Sequence, residues 1–215
     1  MMILDADTVL AAAVHEVKNM MGELTLCLDD YYRHHPDAEV AKMRALSHTS
    51  QERMVQILIM QNAENGALGV TAEAISPQEL LDDVVADAKL MLPEGMTLEQ
   101  DSDVADVPFW FIDRYLISQV LMNALHNAVK FANSRIVLGC READDGLLFD
   151  VRDDGAGYPD RPGFRLEAAQ EHQGGNSKKG TGLGLRFNER IAAVHGGKIT
   201  RSNDGGACFT LWLPK

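Results

Sequence analysis

The feature that most constrains the fold is a column of apolar residues near the N-terminus, spaced alternately four and three residues apart. The column consists of Leu10, Val14, Val17, Met21, Leu24, Leu28 and Tyr31. Such spacing puts the side chains on one side of an α-helix and is typical of coiled coils and helix bundles. It predicts a helix over residues 7–32 whose apolar side needs another helix to cover it.

A second helix is predicted over residues 38–65, again with apolar residues three and four apart. Pro36 cannot continue the first helix, and Asp37 can cap the second. Two amphipathic helices joined by so short a turn form an antiparallel hairpin with a wide apolar stripe. Dimerisation into a four-helix bundle would bury that stripe, and docking on the remainder of the same chain is the alternative.

The pattern changes after a glycine-containing linker at residues 65–69, because glycines end helices and loosen the chain. Beyond it, periodicity and turn residues predict helices at 77–92, 113–132 and 183–195, strands at 97–100, 107–112, 135–141, 147–151, 198–202 and 207–213, and a loop at 158–179. We therefore expect an α+β fold in two domains. Residues 1–66 would form the antiparallel helical hairpin, and residues 70–215 a mixed α/β domain.

Charge and composition limit the partners. The 215-residue chain carries a formal net charge of −12, which argues against nucleic acid and anionic membrane surfaces. No apolar run approaches the roughly 20 residues of a membrane span, and the N-terminus lacks the basic start of a signal peptide. Cys27, Cys140 and Cys208 are too scattered for a disulfide framework or zinc site, and are expected to be buried residues in a reducing cytosol. A cytoplasmic location follows.

Three polar residues lie off the apolar column of the first helix. His15 and Asn19 are four residues apart, so they lie about one turn from each other on the same exposed flank, with Glu16 beside them. An imidazole, a carboxylate and an amide are thereby brought together in solvent. Taken alone, a solvated helix face is the better explanation of these residues.

The predicted helix at 113–132 carries a second polar column. Asn123, Asn127 and Lys130 follow one another at i, i+4 and i+7. Amide oxygens suit Mg²⁺, and an ammonium group suits phosphate oxygens, so the column could hold a metal ion and a phosphate chain. A solvated face is again the alternative.

A glycine-containing turn follows the predicted strand at 147–151. Asp153, Gly155 and Gly157 combine a carboxylate at a strand end with two glycines, which leave room for a flat ligand. The carboxylate could accept a hydrogen bond from an amine such as that of adenine. A surface turn is the alternative, since Asp-Gly is common there.

A second glycine cluster opens the helix at 183–195. It consists of Gly180, Thr181, Gly182, Leu183 and Gly184. Glycines let backbone N–H groups approach phosphates closely, and a helix N-terminus adds positive potential. The spacing matches neither the Rossmann nor the Walker fingerprint.

The four segments described above, in their order along the chain, resemble conserved boxes of the sensor histidine kinases of two-component signalling. The phosphoacceptor box is matched by residues 15–19, the asparagine box by 123–131, the two glycine boxes by 153–157 and 180–185, and the segment after the last helix by 195–199. The resemblance covers nearly the whole chain. It implies a dimerisation and histidine phosphotransfer hairpin followed by an ATP-binding α/β sandwich of the GHKL (Bergerat) type, shared with Hsp90, gyrase and MutL.

The resemblance also implies roles in a nucleotide site. Asn127 would ligate Mg²⁺, Lys130 would contact phosphate and Asp153 would bind adenine. The rest of the site would comprise Asn123, Gly155, Gly157, Gly180, Thr181, Gly182, Leu183 and Gly184.

The activity implied is that of a kinase core. ATP with Mg²⁺ would phosphorylate His15, Glu16 would orient the imidazole, and Asn19 would serve the reverse, dephosphorylating reaction. The phosphoryl group would pass to an aspartate of a response regulator receiver domain, and the kinase would be a homodimer. Two alternatives remain at this point: a phosphotransfer protein that shuttles phosphoryl groups without kinase activity, and an anti-sigma-type regulator that binds ATP and sequesters a partner.

Three departures from the family pattern stand out. Met20 and Met21 occupy the region where many members have a proline after the acceptor box. Phe164 is the only candidate for a phenylalanine box in the lid. The chain also contains no recognisable sensor or receiver domain, which leaves room for a sensor partner in trans.

Overall fold

The computed structural model describes residues 6–35, 37–64, 68–104, 107, 109–159 and 182–215. The side chains of residues 6–15, 18, 45, 48 and 64 lie outside this description. The chain divides into two compact units, Met1–Leu68 and Gly69–Lys215.

The first unit consists of two helices, α1 (Ala6–His34) and α2 (Ala38–Glu64). They lie antiparallel: the buried hydroxyls of Thr25 and Ser47 share a hydrogen bond of 2.8 Å, and Arg44 Nε donates to Asp29 Oδ1 at 2.6 Å. The predicted turn residue Pro36 lies outside the described residues. Asp37 caps α2, because its Oδ1 accepts a hydrogen bond from Glu39 N at 2.8 Å.

The apolar column of α1 is only partly covered by α2. Val17, Met21 and Leu28 are half-buried, whereas Leu24 is 47% exposed and Tyr31 is 54% exposed. The side chains of Leu10 and Val14 lie outside the description. Within this single chain, α1 therefore leaves an open apolar stripe, which includes Met20, Leu24 and Tyr31.

The second unit is built on a five-stranded sheet with the order β2-β4-β5-β7-β6. Its strands are β2 (Thr97–Asp103), β4 (Arg135–Ala143), β5 (Gly146–Asp153), β6 (Lys198–Asn203) and β7 (Ala207–Pro214). The neighbours β2 and β4 are parallel, and the other pairs are antiparallel. A separate two-stranded antiparallel sheet joins β1 (Glu73–Ile75) to β3 (Trp110–Ile112).

Helices α3 (Pro77–Lys89), α4 (Arg114–Phe131) and α5 (Leu183–Val194) pack on the five-stranded sheet. Helix α4 contacts both other helices. Asp113 begins α4 by accepting a hydrogen bond from Leu116 N at 3.0 Å. The predicted inward side chains of α4 are buried except Val129, which is half-buried: Leu116, Val120, Leu121, Ala124, Leu125 and Ala128. The result is the predicted α/β sandwich.

Several boundaries differ from the sequence prediction. Strand β2 continues past residue 100 to Asp103, because its polar residues pair with β4 while their side chains face solvent; Asp101, for example, pairs with Arg152. Helix α3 ends at Lys89 and leaves Leu90 88% exposed. Strand β3 begins at Trp110 rather than at residue 107, and β1 was not predicted.

The cysteine prediction is correct only for Cys140, which is buried in β4. Cys208 is half-buried, and Cys27 is exposed because it projects from the side of α1 that α2 does not cover. Among the described helices, none is long and apolar enough to cross a bilayer.

Candidate nucleotide-binding site

Asp153 is the last residue of β5 and lies in a defined hydrogen-bond environment. Its Oδ1 accepts hydrogen bonds from Gly155 N at 2.8 Å and from Ala207 N at 3.2 Å. Its other oxygen, Oδ2, accepts none from the described residues. The turn thus orients the carboxylate and keeps one oxygen available to an amine donor.

Two glycines allow neighbouring backbone to approach this carboxylate closely. A Cβ on Gly155 would collide with the carbonyl oxygen of Phe131 at the end of α4. A Cβ on Gly206 would collide with the carbonyl oxygen of Asp153 itself. Only glycine fits at either position, so the end of α4 and the β6–β7 turn both close around Asp153.

Gly157 and the residue after it are held from the opposite side by Asn203. Its Oδ1 accepts a hydrogen bond from Tyr158 N at 2.8 Å, and its Nδ2 donates to Tyr158 O at 2.9 Å. Gly157 has a φ of +76°, where a side chain would be strained, and a Cβ there would lie 2.8 Å from Asn203 Oδ1. Burial raises the pKa of the Tyr158 hydroxyl to about 12. Asn203 was not among the residues predicted from the sequence.

The neighbouring carboxylate, Asp154, is saturated with donors. It accepts hydrogen bonds from Asn133 N at 2.8 Å, from Ser134 N at 3.0 Å and from Ser134 Oγ at 2.8 Å. Its own N–H donates to Arg135 O at 3.2 Å. The donors from Ser134, with help from neighbouring amides, hold the pKa of Asp154 well below its usual range. Asp154 therefore fastens the loop after α4 to the turn that carries Asp153.

The three residues of the predicted α4 column lie in different surroundings. Asn123 is half-buried, and its Nδ2 donates to Gly184 O at 2.7 Å and to Asn188 Oδ1 at 2.8 Å. Asn127, one turn further along, is exposed. Lys130 is half-buried, with its Nζ 5.1 Å from the ring centroid of Phe131. The column thus runs from an interhelical contact to an exposed amide and then to a cation.

The first turn of α5 brings part of the second glycine cluster against α4. Gly182 is the N-cap with a φ of 70° and makes no side-chain capping hydrogen bond. Gly184 lies in that turn beside Asn123. Gly180 and Thr181 lie outside the described residues, as does Phe164.

His195, which opens the segment after α5, connects two helices. Its Nδ1 bonds with Ile191 O at 2.8 Å, and Asp113 N donates to its Nε2 at 3.3 Å. Because a carbonyl oxygen only accepts, Nδ1 is the donor to Ile191 O, and Nε2 is the acceptor from Asp113 N. The residue therefore ties the end of α5 to the N-cap of α4.

The predicted phosphoacceptor residues all lie in α1 of the first unit. Glu16 and Asn19 are exposed, as expected for the flank of the hairpin. The backbone of His15 is helical, and its side chain lies outside the description.

Asn127 offers one exposed amide oxygen to a metal ion such as Mg²⁺. Among the described residues there is no cluster of three or more His, Cys, Asp or Glu side chains that could hold a metal ion. One exposed amide oxygen suits an ion that keeps several waters and takes its other ligands from phosphate groups.

The residues missed by sequence reasoning are Asp154, Asn188 and Asn203. Asn188 offered a signal: it is a polar residue on the side of α5 that also carries Phe187, Ile191 and Ala192. Asp154 and Asn203 act on backbone groups distant in sequence, and no local pattern marks them.

The sequence is similar to a known ATPase family and to known kinases. The family described as "Histidine kinase-, DNA gyrase B-, and HSP90-like ATPase" matches residues 112–215. Sensor protein KdpD of Escherichia coli (strain K12) is 30% identical over 97% of this chain, which spans 24% of that protein. An adaptive-response sensory kinase SasA of Prochlorococcus marinus is 34% identical over 59% of this chain, spanning 35% of the relative.

Solved structures share the fold. Histidine kinase AdeS of Acinetobacter baumannii aligns with a TM-score of 0.62 at 20% identity, covering 93% of this chain and 97% of that one. The catalytic domain of histidine kinase ThkA aligns with a TM-score of 0.55 at 26% identity, covering 67% of this chain and 95% of that one. The relatives above show that the chain is similar to sensor histidine kinases along nearly its whole length, and that its residues 112–215 match the GHKL-type ATPase family.

Proposed function

We propose that this chain is a histidine kinase core, which transfers the γ-phosphoryl group of ATP to His15 and then to an aspartate of a response regulator. The observation that carries the proposal is the carboxylate of Asp153, with Oδ1 fixed by two backbone amides and Oδ2 available. A shuttle between receiver domains has no use for such an adenine acceptor. The proposal includes a cytoplasmic location, with no nucleic acid or membrane partner.

Nucleotide binding would use Asp153 at the end of β5 and the polar column of α4. Asp153 Oδ2 accepts a hydrogen bond from the adenine amine. Asn127 supplies an amide oxygen to Mg²⁺, Lys130 contacts phosphate oxygens, and the second glycine cluster presents its backbone N–H groups. When bound, Mg²⁺ neutralises charge on the phosphates and orients them.

The transfer step needs a neutral imidazole. A nitrogen of His15 attacks the γ-phosphorus, the bond from phosphorus to the ADP oxygen breaks, and a phosphorus–nitrogen bond forms. Glu16 accepts the proton of the other ring nitrogen. A receiver aspartate then takes the phosphoryl group from His15, and Asn19 orients a water molecule for dephosphorylation of the regulator.

A homodimer would complete the first unit. The stripe of α1 that includes Met20, Leu24 and Tyr31 is exposed in the single chain. Pairing two hairpins as a four-helix bundle would bury it. A sensor protein could then act on this dimer in trans.

The test is phosphorylation by labelled ATP. We expect an acid-labile label on the wild-type chain and none on His15→Gln, with binding of Mg-ATP unchanged. The chain has 7 histidines, so His34→Gln serves as the matched control; His34 is exposed at the end of α1 and should be dispensable. Label persisting at the wild-type level in His15→Gln would refute the acceptor. Absence of Mg-ATP binding, with phosphoryl still accepted from a regulator, would favour the shuttle.

A further inference from the structure

We infer that Asn188 is a positioning residue for the phosphate end of the nucleotide, acting through Asn123 on the α4 column. The inference rests on the proposed function, since it concerns how that site is held in shape. It adds a residue that the family boxes in this sequence do not contain.

Asn188 is a buried amide in apolar surroundings. It is 1% exposed and lies on α5 with the buried residues Phe187, Ile191 and Ala192. A buried polar group costs free energy unless it is hydrogen-bonded. The oxygen of Asn188 is satisfied by Asn123 Nδ2 at 2.8 Å.

The direction of this hydrogen bond is fixed by a third group. Asn123 Nδ2 also lies 2.7 Å from the carbonyl oxygen of Gly184. A carbonyl oxygen can only accept, so the nitrogen of Asn123 must face it, and Asn188 must present its oxygen. One NH₂ group thereby holds two points of α5 that are one turn apart.

Gly184 makes this contact possible because it has no side chain. A Cβ there would lie 2.5 Å from Asn123 Oδ1. Asn123, Gly184 and Asn188 therefore form a unit, here named the amide clamp, that fixes the first turn of α5 against the middle of α4.

The clamp gives the two amide side chains on α4 different roles. Asn123 is engaged in the clamp, whereas Asn127 is exposed and free to face a ligand. The clamp sets the distance between Asn127 and the first turn of α5, both of which would meet the phosphates. Asp153 is held separately, by Gly155 and Ala207. Loosening the clamp should therefore affect the phosphates and leave adenine binding intact.

The experiment compares two ligands on the full chain by calorimetry. Asn188→Leu keeps the size of the side chain and removes the acceptor. We expect it to weaken Mg-ADP roughly ten-fold, about 1.4 kcal/mol, and to change adenosine affinity by less than about two-fold. Asn62→Leu, the same change at an exposed position of α2, should alter neither affinity.

A reciprocal pair tests the direction of the bond. Asn123→Asp cannot donate and should reproduce Asn188→Leu, whereas Asn188→Asp keeps an acceptor and should retain most of the Mg-ADP affinity. Thermal unfolding of each variant shows that it is folded. Because leucine suits the apolar side of α5, Asn188→Leu provides the decisive measurement if a carboxylate variant does not fold.

The outcomes separate the two claims. If the wild-type chain binds Mg-ADP and Asn188→Leu weakens both ligands equally or neither, the positioning role is wrong and the proposed function stands. If the wild-type chain does not bind Mg-ADP, the proposed function fails and the inference fails with it.

Discussion

Asp153 and Asp154 are adjacent carboxylates with different surroundings, and the difference assigns them different roles. Asp153 has one oxygen fixed by two backbone amides, and Oδ2 has no partner among the described residues. Asp154 is bonded to two backbone amides and a hydroxyl. The first is suited to receiving a ligand, and the second to joining two loops.

The role of Asp153 can be tested by Asp153→Asn. The amide keeps an oxygen for Gly155 and Ala207 but turns a donor toward the adenine amine. We expect ATP affinity to fall roughly ten- to a hundred-fold, the value of one charge-assisted hydrogen bond. Calorimetry measures the ATP affinity, and Asp145→Asn, just before the other end of β5, serves as the control. Unchanged ATP binding would remove Asp153 from the site.

Asn127→Ala should instead remove Mg²⁺-dependent activity.

The role of Asp154 predicts a pH dependence of stability. Because its pKa is lowered in the folded chain, its contribution is complete above the ordinary aspartate pKa of about 3.9. That contribution is lost as the pH falls from there toward the lowered pKa. We expect Asp154→Asn to be less stable than wild type to urea at pH 7, with the difference shrinking below about pH 4. A difference that stays constant with pH would contradict this account.

At the scale of elements, the long periodic helices were predictable and the short paired strands were not. The inward positions of α4 follow from spacing within one segment. Strand β1 has three residues, two of them exposed, and exists because β3 pairs with it. The sequence predicts Gly155 and Gly184 as parts of a nucleotide site. The groups they admit, Phe131 O and the side chain of Asn123, come from distant segments and were not predictable.

The open stripe on α1 leads to a prediction about assembly. Leu24→Glu places a charge in the stripe, and burying it in a bundle is costly, so the variant should be monomeric. Leu26 is two residues further, roughly 200° around the helix, and is 70% exposed. Leu26→Glu should therefore remain dimeric. Light scattering at micromolar concentration distinguishes the two, and a monomeric wild type would rule out the bundle.

At the scale of the whole molecule, the region that matches the ATPase family is shorter than the second compact unit. The match begins at residue 112, while the unit begins at Gly69. The additional part contains α3, whose Leu80, Leu81 and Val84 are buried, and β2, which pairs with β4. The family match thus omits an edge strand and a helix of the core.

Truncation tests this difference. Residues 69–215 alone should unfold cooperatively in urea and bind Mg-ADP like the full chain. Residues 112–215 should show no cooperative transition, because each buried leucine or valine contributes about 1.5–3 kcal/mol and domain stability is only about 5–15 kcal/mol. Circular dichroism reports both results. A cooperative transition in the shorter segment would show that α3 and β2 are dispensable.

The two hydrogen bonds of the α4 N-cap residue, Asp113, also have a mechanical consequence. Asp113 Oδ1 begins the helix through Leu116 N, and its Oδ2 accepts a hydrogen bond from Thr71 N at 3.0 Å. Thr71 follows closely on Gly69, where the second unit begins. A pull on the backbone at that junction would be transmitted through the Asp113 carboxylate to the N-terminus of α4, the helix that carries Asn127. The helix that carries the proposed Mg²⁺ ligand would thus respond to a pull on the segment at the start of its unit.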